Sequence, residues 1–107
     1  MLFSIVMVVF NAGIKVEKTL DSVFAQTEED YEIVVKDGGS TDDTLKYIPM
    51  KQCVKVCSKP DKGIYDAMNQ AVDICNGDYI IFMNAGDLFY DKDVLANVKK
   101  KISEVNS

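Results

Sequence analysis

The sequence has no histidine and only three cysteines, Cys53, Cys57 and Cys75, an odd number without the paired spacing of a zinc site. A zinc centre is not expected, and the cysteines read as buried, reduced thiols. Positive charge is scarce as well. Twelve Lys and Arg against seventeen Asp and Glu leave a net charge of −5, which argues against general affinity for nucleic acid or anionic membranes. A phosphate-bearing ligand would then need backbone amides, a metal ion or a few placed lysines. Long apolar runs are also missing. Nothing approaches the roughly 20 apolar residues that span a bilayer. The apolar start Met1-Leu2-Phe3-Ser4-Ile5 has neither the basic region nor the small-residue cleavage site of a signal peptide. A cytoplasmic location is the default expectation. No repeat or low-complexity linker breaks the 107 residues, so one domain over 1–107 is expected.

What is present alternates between two periodicities. Residues 3–10 are rich in β-branched side chains and read as a strand that turns at Asn11-Ala12-Gly13. Val16, Leu20, Val23 and Phe24 then recur with helical spacing, and the polar stretch 27–30 ends that helix. Residues 31–36 form a second strand. It leads into Asp37-Gly38-Gly39-Ser40-Thr41-Asp42-Asp43-Thr44, where Ser40 reads as an N-cap and Asp43 as its capping-box partner. Leu45 and Ile48 give the short helix after it an inner face, and Pro49 ends it. An alternating strand at 53–57 precedes a helix over 63–75, with Asn76-Gly77 as its C-cap.

The run from Tyr79 to Met83 is apolar without interruption and reads as a central strand covered on both faces. It enters Asn84-Ala85-Gly86-Asp87. A last helix capped by Asp91 carries Val94, Leu95, Val98 and Ile102, with Lys99, Lys100 and Lys101 in its final turns. Strands alternating with helices throughout mean βαβ units, hence an α/β fold with a mainly parallel sheet of about four strands.

Open parallel sheets bind ligands outside the carboxyl ends of their strands, and here that edge collects Asn11, Asp37 and Asp87. Asp37 and the amides after it offer an acceptor beside an array of donors, suited to a nucleobase N–H and to polar or anionic groups. Asp-Gly turns also arise for backbone reasons alone, so a purely turn-forming Asp37 is an open alternative. Asn84 and Asp87 are oxygen ligands of the kind that suit Mg²⁺ or Mn²⁺, with substrate phosphates and water completing the shell. A simple surface turn is again the alternative. Asp61 precedes one helix and Asp66 and Asn69 lie three apart on its polar side, where they serve either a ligand or capping and solvation. Tyr65 and Tyr90 could stack on a base, although packing is the commoner role for such aromatics.

These stretches resemble family 2 glycosyltransferases of the GT-A fold. The residues that carry the resemblance are Ser4 to Asn11, Ile33 to Asp42, Asp61 to Asn69 and Gly77 to Asp87, which together run along almost the whole chain in the family's order. The resemblance implies a GT-A, Rossmann-like three-layer sandwich and a nucleotide-sugar donor, a UDP-sugar. The implied donor-binding set is Phe10, Asn11, Asp37, Gly38, Gly39, Ser40, Asp61, Asn69, Asn84 and Ala85, with Asp87 as ligand to Mg²⁺ or Mn²⁺ at the diphosphate. It further implies an inverting hexosyl transfer to a glycan or lipid-linked acceptor in polysaccharide biosynthesis, with contact to the inner membrane face through partners or further segments.

Three positions depart from the family pattern. Val8 replaces a threonine, Lys36-Asp37 replaces a pair of acids, and Asn84 replaces the first acid of the metal loop. The family's catalytic base falls in an acceptor half beyond residue 107, so no catalytic residue is assigned and transfer is expected of a longer parent. A chain cut at that point should expose apolar surface and self-associate. Two other classes stay open: a non-catalytic nucleotide-binding or interaction module, and a phospho-acceptor receiver domain. The latter fits poorly, because its first strand should end in acids and this one ends in Phe10-Asn11.

Overall fold

The computed structural model describes residues 1–105. Four strands, β1 (Phe3–Val9), β2 (Tyr31–Asp37), β3 (Val54–Ser58) and β4 (Tyr79–Asn84), form one parallel sheet in the order β3-β2-β1-β4. Three α-helices, α1 (Lys15–Phe24), α2 (Ile64–Val72) and α3 (Val94–Val105), cover it, and a 3₁₀ turn spans Thr44–Tyr47. The α/β class, the four parallel strands and the three layers are those expected.

Alternation along β1 builds both layers. Phe3, Ile5, Met7 and Val9 point into a core shared with Ile33 and Val35 of β2, Val16, Leu20 and Val23 of α1 and Leu95 of α3. Val6 and Val34 point the other way, against Ala71 of α2. Side chains on a strand alternate between faces, so a single β-branched run can serve two helical layers. Gln26 joins the helices of the first layer: its Nε2 donates to Asp91 O at 2.6 Å and its Oε1 accepts from Leu95 N at 3.0 Å.

The last strand departs from expectation. β4 is an edge strand, and β1 and β2 are the central pair. Tyr79, Ile80 and Phe82 of β4 are exposed. Ile80 and Phe82 lie on the face of Val6, where α2 packs mainly over β1 and β2, whereas Tyr79 lies on the opposite face, beside α3. An apolar run reports that a strand is suited to burial on both faces; which strands lie beside it depends on the order of the sheet.

Smaller differences follow from local hydrogen bonding. The turn after β2 is too short for an α-helix, Leu45 is exposed there, and Ile48 alone of the expected pair is buried. Ser40 does not cap that turn, because its hydroxyl is engaged with Asp37 and Asn11. α2 ends at Val72 with Asp73 as C-cap. Asn76 and Gly77 instead donate their amides to Glu32 Oε2 at 2.6 Å and Ser4 Oγ at 2.8 Å, fixing the start of β4 against β1. The three cysteines are free and half-buried rather than buried. No helix among the described residues is long and apolar enough to cross a membrane.

Candidate functional site

In the order β3-β2-β1-β4 the chain moves outward from β1 to β3 and then returns to the other side of β1. The crevice where the winding reverses lies between the carboxyl ends of β1 and its neighbours, where such sheets bind ligands. Register aligns those ends: Val9 pairs with Asp37, Val8 with Asn84 and Asp37 with Ser58. Asp37 and the loop that ends in Asp87 therefore share one rim, on either side of β1.

Two loops on that rim are joined directly. Asn11 adopts a left-handed conformation, φ 51°, which is tolerated by Asn better than by most residues. Its amide donates to Ser40 Oγ at 2.8 Å, and its Oδ1 accepts from Thr41 N at 2.8 Å and Asp42 N at 3.3 Å. Gly13 N donates to Thr44 Oγ1 at 2.9 Å. The bend after β1 is thus shaped by the chain that leaves β2. Phe10, the first residue beyond β1, is left with its ring largely exposed at 62 %.

Asp37 is fully buried. Its Oδ2 accepts from Gly39 N at 3.2 Å, Ser40 N at 3.0 Å and Ser58 Oγ at 2.7 Å, while its Oδ1 accepts from the Ser40 hydroxyl. Burial pushes this carboxyl up, but the donors from Ser40, Ser58 and Gly39 outweigh it and leave the pKa below the usual value. Four hydrogen bonds engage this carboxylate, three on Oδ2 and one on Oδ1. Asp37 therefore forms the turn, and among its donors Ser58 is the exposed side chain at a strand end.

The metal-loop candidates form a closed turn. Asp87 N donates to Asn84 O, and Asn84 N donates back to Asp87 Oδ2, both at 2.9 Å. Gly86 takes the positive φ of 99° that this turn requires, and its amide donates to Thr19 Oγ1 of α1 at 2.8 Å. Asp87 is exposed, with Oδ1 free of hydrogen-bond partners among the described residues. No group of three or more acidic, His or Cys side chains able to hold a metal occurs among the described residues. This donor set fits an ion carried in by a polyanionic ligand and does not fit a resident metal centre.

Asp61 lies beside Gly38: a Cβ added at Gly38 would fall 3.0 Å from Asp61 Oδ2 and 3.4 Å from the Phe10 ring. Asp61 Oδ1 accepts from Gly63 N at 3.1 Å. Phe10, Gly38 and Asp61 thus meet at one point of the rim. Ala85 is half-buried against the core. Asn69 is exposed on α2, with no side-chain bond to the other candidates. Asp66 accepts from Lys62 N at 2.8 Å and Gln70 Nε2 at 3.1 Å, which makes it a capping residue. Tyr65 and Tyr90 are almost fully exposed and are not packing residues.

Sequence reasoning missed Thr19, Thr44, Ser58 and the buried Lys36. Thr19 and Thr44 carry the only available signal, a polar residue on an otherwise buried face. Lys36 stands out in the sequence only as a departure from the family's pair of acids, and nothing there signals its burial, since a lysine at a strand end reads as a solvated side chain.

A four-stranded parallel sheet in the order β3-β2-β1-β4 with helices on both faces is the fold of the N-terminal domain of GT-A glycosyltransferases. The chain belongs to glycosyl transferase family 2, whose model matches residues 4–106. It is 38 % identical over 108 residues to the PGL/p-HBAD biosynthesis glycosyltransferase of Mycobacterium bovis (strain BCG / Pasteur 1173P2), covering 96 % of this chain and 42 % of that protein. It is 34 % identical over 98 residues to the chondroitin synthase of Escherichia coli, covering 88 % of this chain and 14 % of that one. Among solved structures, Staphylococcus aureus TarS 1-349 in complex with UDP-GlcNAc superposes with a TM-score of 0.89 at 26 % identity, over 97 % of this chain and 32 % of TarS 1-349. The chain thus spans less than half the length of these relatives.

Proposed function

We propose that the chain is the donor-binding half of a glycosyltransferase and holds a nucleotide-sugar, a UDP-sugar, in the crevice between Phe10 to Asn11, Asp37 to Ser40, Asp61 and Asn84 to Asp87. The observation that carries this reading is the convergence of those segments on one rim at the reversal of strand order. Support also comes from TarS, which has been solved with UDP-GlcNAc and with UDP.

In this reading the nucleobase lies beside the Phe10 ring, and its N–H takes the place of the exposed Ser58 hydroxyl on Asp37. Ala85 and Asn69 border the donor. Asp87 would hold a Mg²⁺ or Mn²⁺ ion brought by the diphosphate, and that ion, when bound, neutralises the leaving nucleoside diphosphate. The acceptor is a glycan or lipid-linked hydroxyl, the transfer is an inverting hexosyl transfer that builds a polysaccharide at the cytoplasmic membrane face, and the base belongs to an acceptor half outside this chain. Self-association through the exposed edge of β4 belongs to the same proposal.

Isothermal titration with UDP and Mn²⁺ tests it. Saturable heat that weakens on Asp87→Ala is the expected result. No heat with UDP overturns the reading in favour of a non-catalytic module. The engagement of the Asp37 carboxylate by its own turn and by Ser58 speaks for that second reading, which predicts that Asp37→Asn leaves any nucleotide binding unchanged.

A further inference from the structure

Lys36 is a strand residue whose side chain is completely buried. Its ammonium donates to Lys59 O at 2.6 Å, to Asp37 O at 3.0 Å and to Asp61 Oδ2 at 3.1 Å. Three protons meet three acceptors, so the cation is fully satisfied. Lys36 thereby ties the end of β2 to the segment leaving β3 and fixes Asp61 against Gly38 and Phe10. A buried ion pair is weak evidence of stabilisation, since apolar replacements of similar volume often do as well. The location of this one, under the rim, calls for a different account.

A carboxylate placed where a diphosphate must approach repels it, and the repulsion is strongest where water is excluded. In the donor-site reading Asp61 lies on the rim beside Gly38 and Phe10, next to the nucleoside that carries the diphosphate, and its charge is matched by Lys36. We infer that Lys36 is a positioning residue of the donor site: it neutralises and orients Asp61, so that Asp61 accepts hydrogen bonds from the hydroxyl or N–H groups of a nucleoside without repelling the phosphates attached to it. This assignment rests on the donor-site reading above and adds a residue to it.

The two members of the pair make opposite predictions. Lys36→Met leaves Asp61 uncompensated, so affinity for UDP falls by roughly tenfold more than affinity for uridine. Asp61→Asn leaves Lys36 uncompensated and shifts the UDP-to-uridine preference the other way, toward UDP, while weakening uridine itself. Lys36→Arg keeps the charge and retains most of the wild-type preference. All are measured by titration calorimetry of UDP and ligand-observed NMR of uridine in one buffer, with far-UV circular dichroism to confirm the fold.

Should Lys36→Met not fold, the Asp61→Asn arm and the double variant Lys36→Met/Asp61→Asn, which buries no charge, carry the test. The double variant is expected to return to the wild-type preference. Equal losses for UDP and uridine in both single variants reduce Lys36 to a structural residue and overturn the inference while the donor site stands. A wild-type protein that ignores UDP overturns the donor-site reading itself, and the inference with it.

Discussion

The ring of Phe10 and the carboxylate of Asp61 close on the same side of Gly38, 3.4 Å and 3.0 Å from where a β-carbon would stand. Gly38 is not among the residues with positive φ, so alanine is compatible with its backbone. The space it leaves is part of the rim. Gly38→Ala is expected to weaken UDP binding by about tenfold, or ~1.4 kcal/mol, while moving Tm by only a few degrees. Gly39 is the converse, with φ 96° and open space around it. Gly39→Ala is expected to cost ~1 kcal/mol of stability through backbone strain. Calorimetry and thermal melts of the two variants, side by side, separate a binding effect from a folding effect.

Asp87 keeps its turn closed through one oxygen and offers the other outward. Asp87→Ala is therefore expected to abolish the gain in UDP affinity that Mn²⁺ provides, leaving the metal-free affinity within about twofold of wild type. Titrations with Mn²⁺ and with EDTA measure that difference. A variant that loses affinity equally in both conditions would show that Asp87 only shapes the loop.

How much of this was readable in the sequence depends on how local each signal is. The β-branched run of β1, the helical spacing of Val16, Leu20 and Val23, and the Asp-Gly-Gly turn each arise within about ten residues, and each appears where expected. The edge position of β4 does not, because strand order is set by which helix covers which strand. The burial of Lys36 was equally invisible. It depends on Asp61 and on Lys59 O, which reach the ammonium only when β3 pairs with β2.

Glu32 and Asp37 give the protein a definite acid limit. Glu32 is buried, accepts from Ser4 Oγ and Asn76 N at 2.6 Å each, and has Lys55 Nζ 2.7 Å from Oε1, a charge contact without hydrogen-bond alignment. Burial raises its carboxyl, but Asn76, Lys55 and Ser4 together hold it below the ordinary 4.5. Asp37 lies below its ordinary 3.8 for the corresponding reason. Depressed folded-state values mean that both contribute stability above about pH 4.5, which is lost as pH falls through the lowered values. Glu32→Gln is expected to cost ~1–3 kcal/mol at pH 7 and to flatten the decline in stability below pH 4.5. Urea melts between pH 3 and pH 7 check both.

Gly77, two residues before β4, packs directly on the backbone at the start of β1. A β-carbon there would lie 2.5 Å from Ser4 N and 2.6 Å from the carbonyl carbon of Phe3. Both are backbone atoms of the central strand, which cannot rotate away as a side chain would. Gly77→Ala is expected to cost ~2–3 kcal/mol, at the upper end for overpacking. Amides of β4 should also lose hydrogen-exchange protection before those of β2, since the damage is confined to the β1–β4 seam. Uniform loss of protection would place the strain elsewhere.

The sharpest test of the sheet order is Phe82. A phenylalanine on a covered central strand costs about 3–5 kcal/mol when its side chain is lost, and a buried glutamate in its place would cost more. On β4 the Phe82 side chain is 47 % exposed, because α2 packs mainly over β1 and β2 and covers the last strand only in part, through Ile64 and Met68. Phe82→Glu is accordingly expected to cost less than ~1 kcal/mol. Placing a charge on the open edge should at the same time lower any concentration-dependent mass seen by light scattering, since edge charges oppose strand-to-strand association. A cost of several kcal/mol would return β4 to the interior of the sheet. An unchanged mass would remove this edge as the contact between copies.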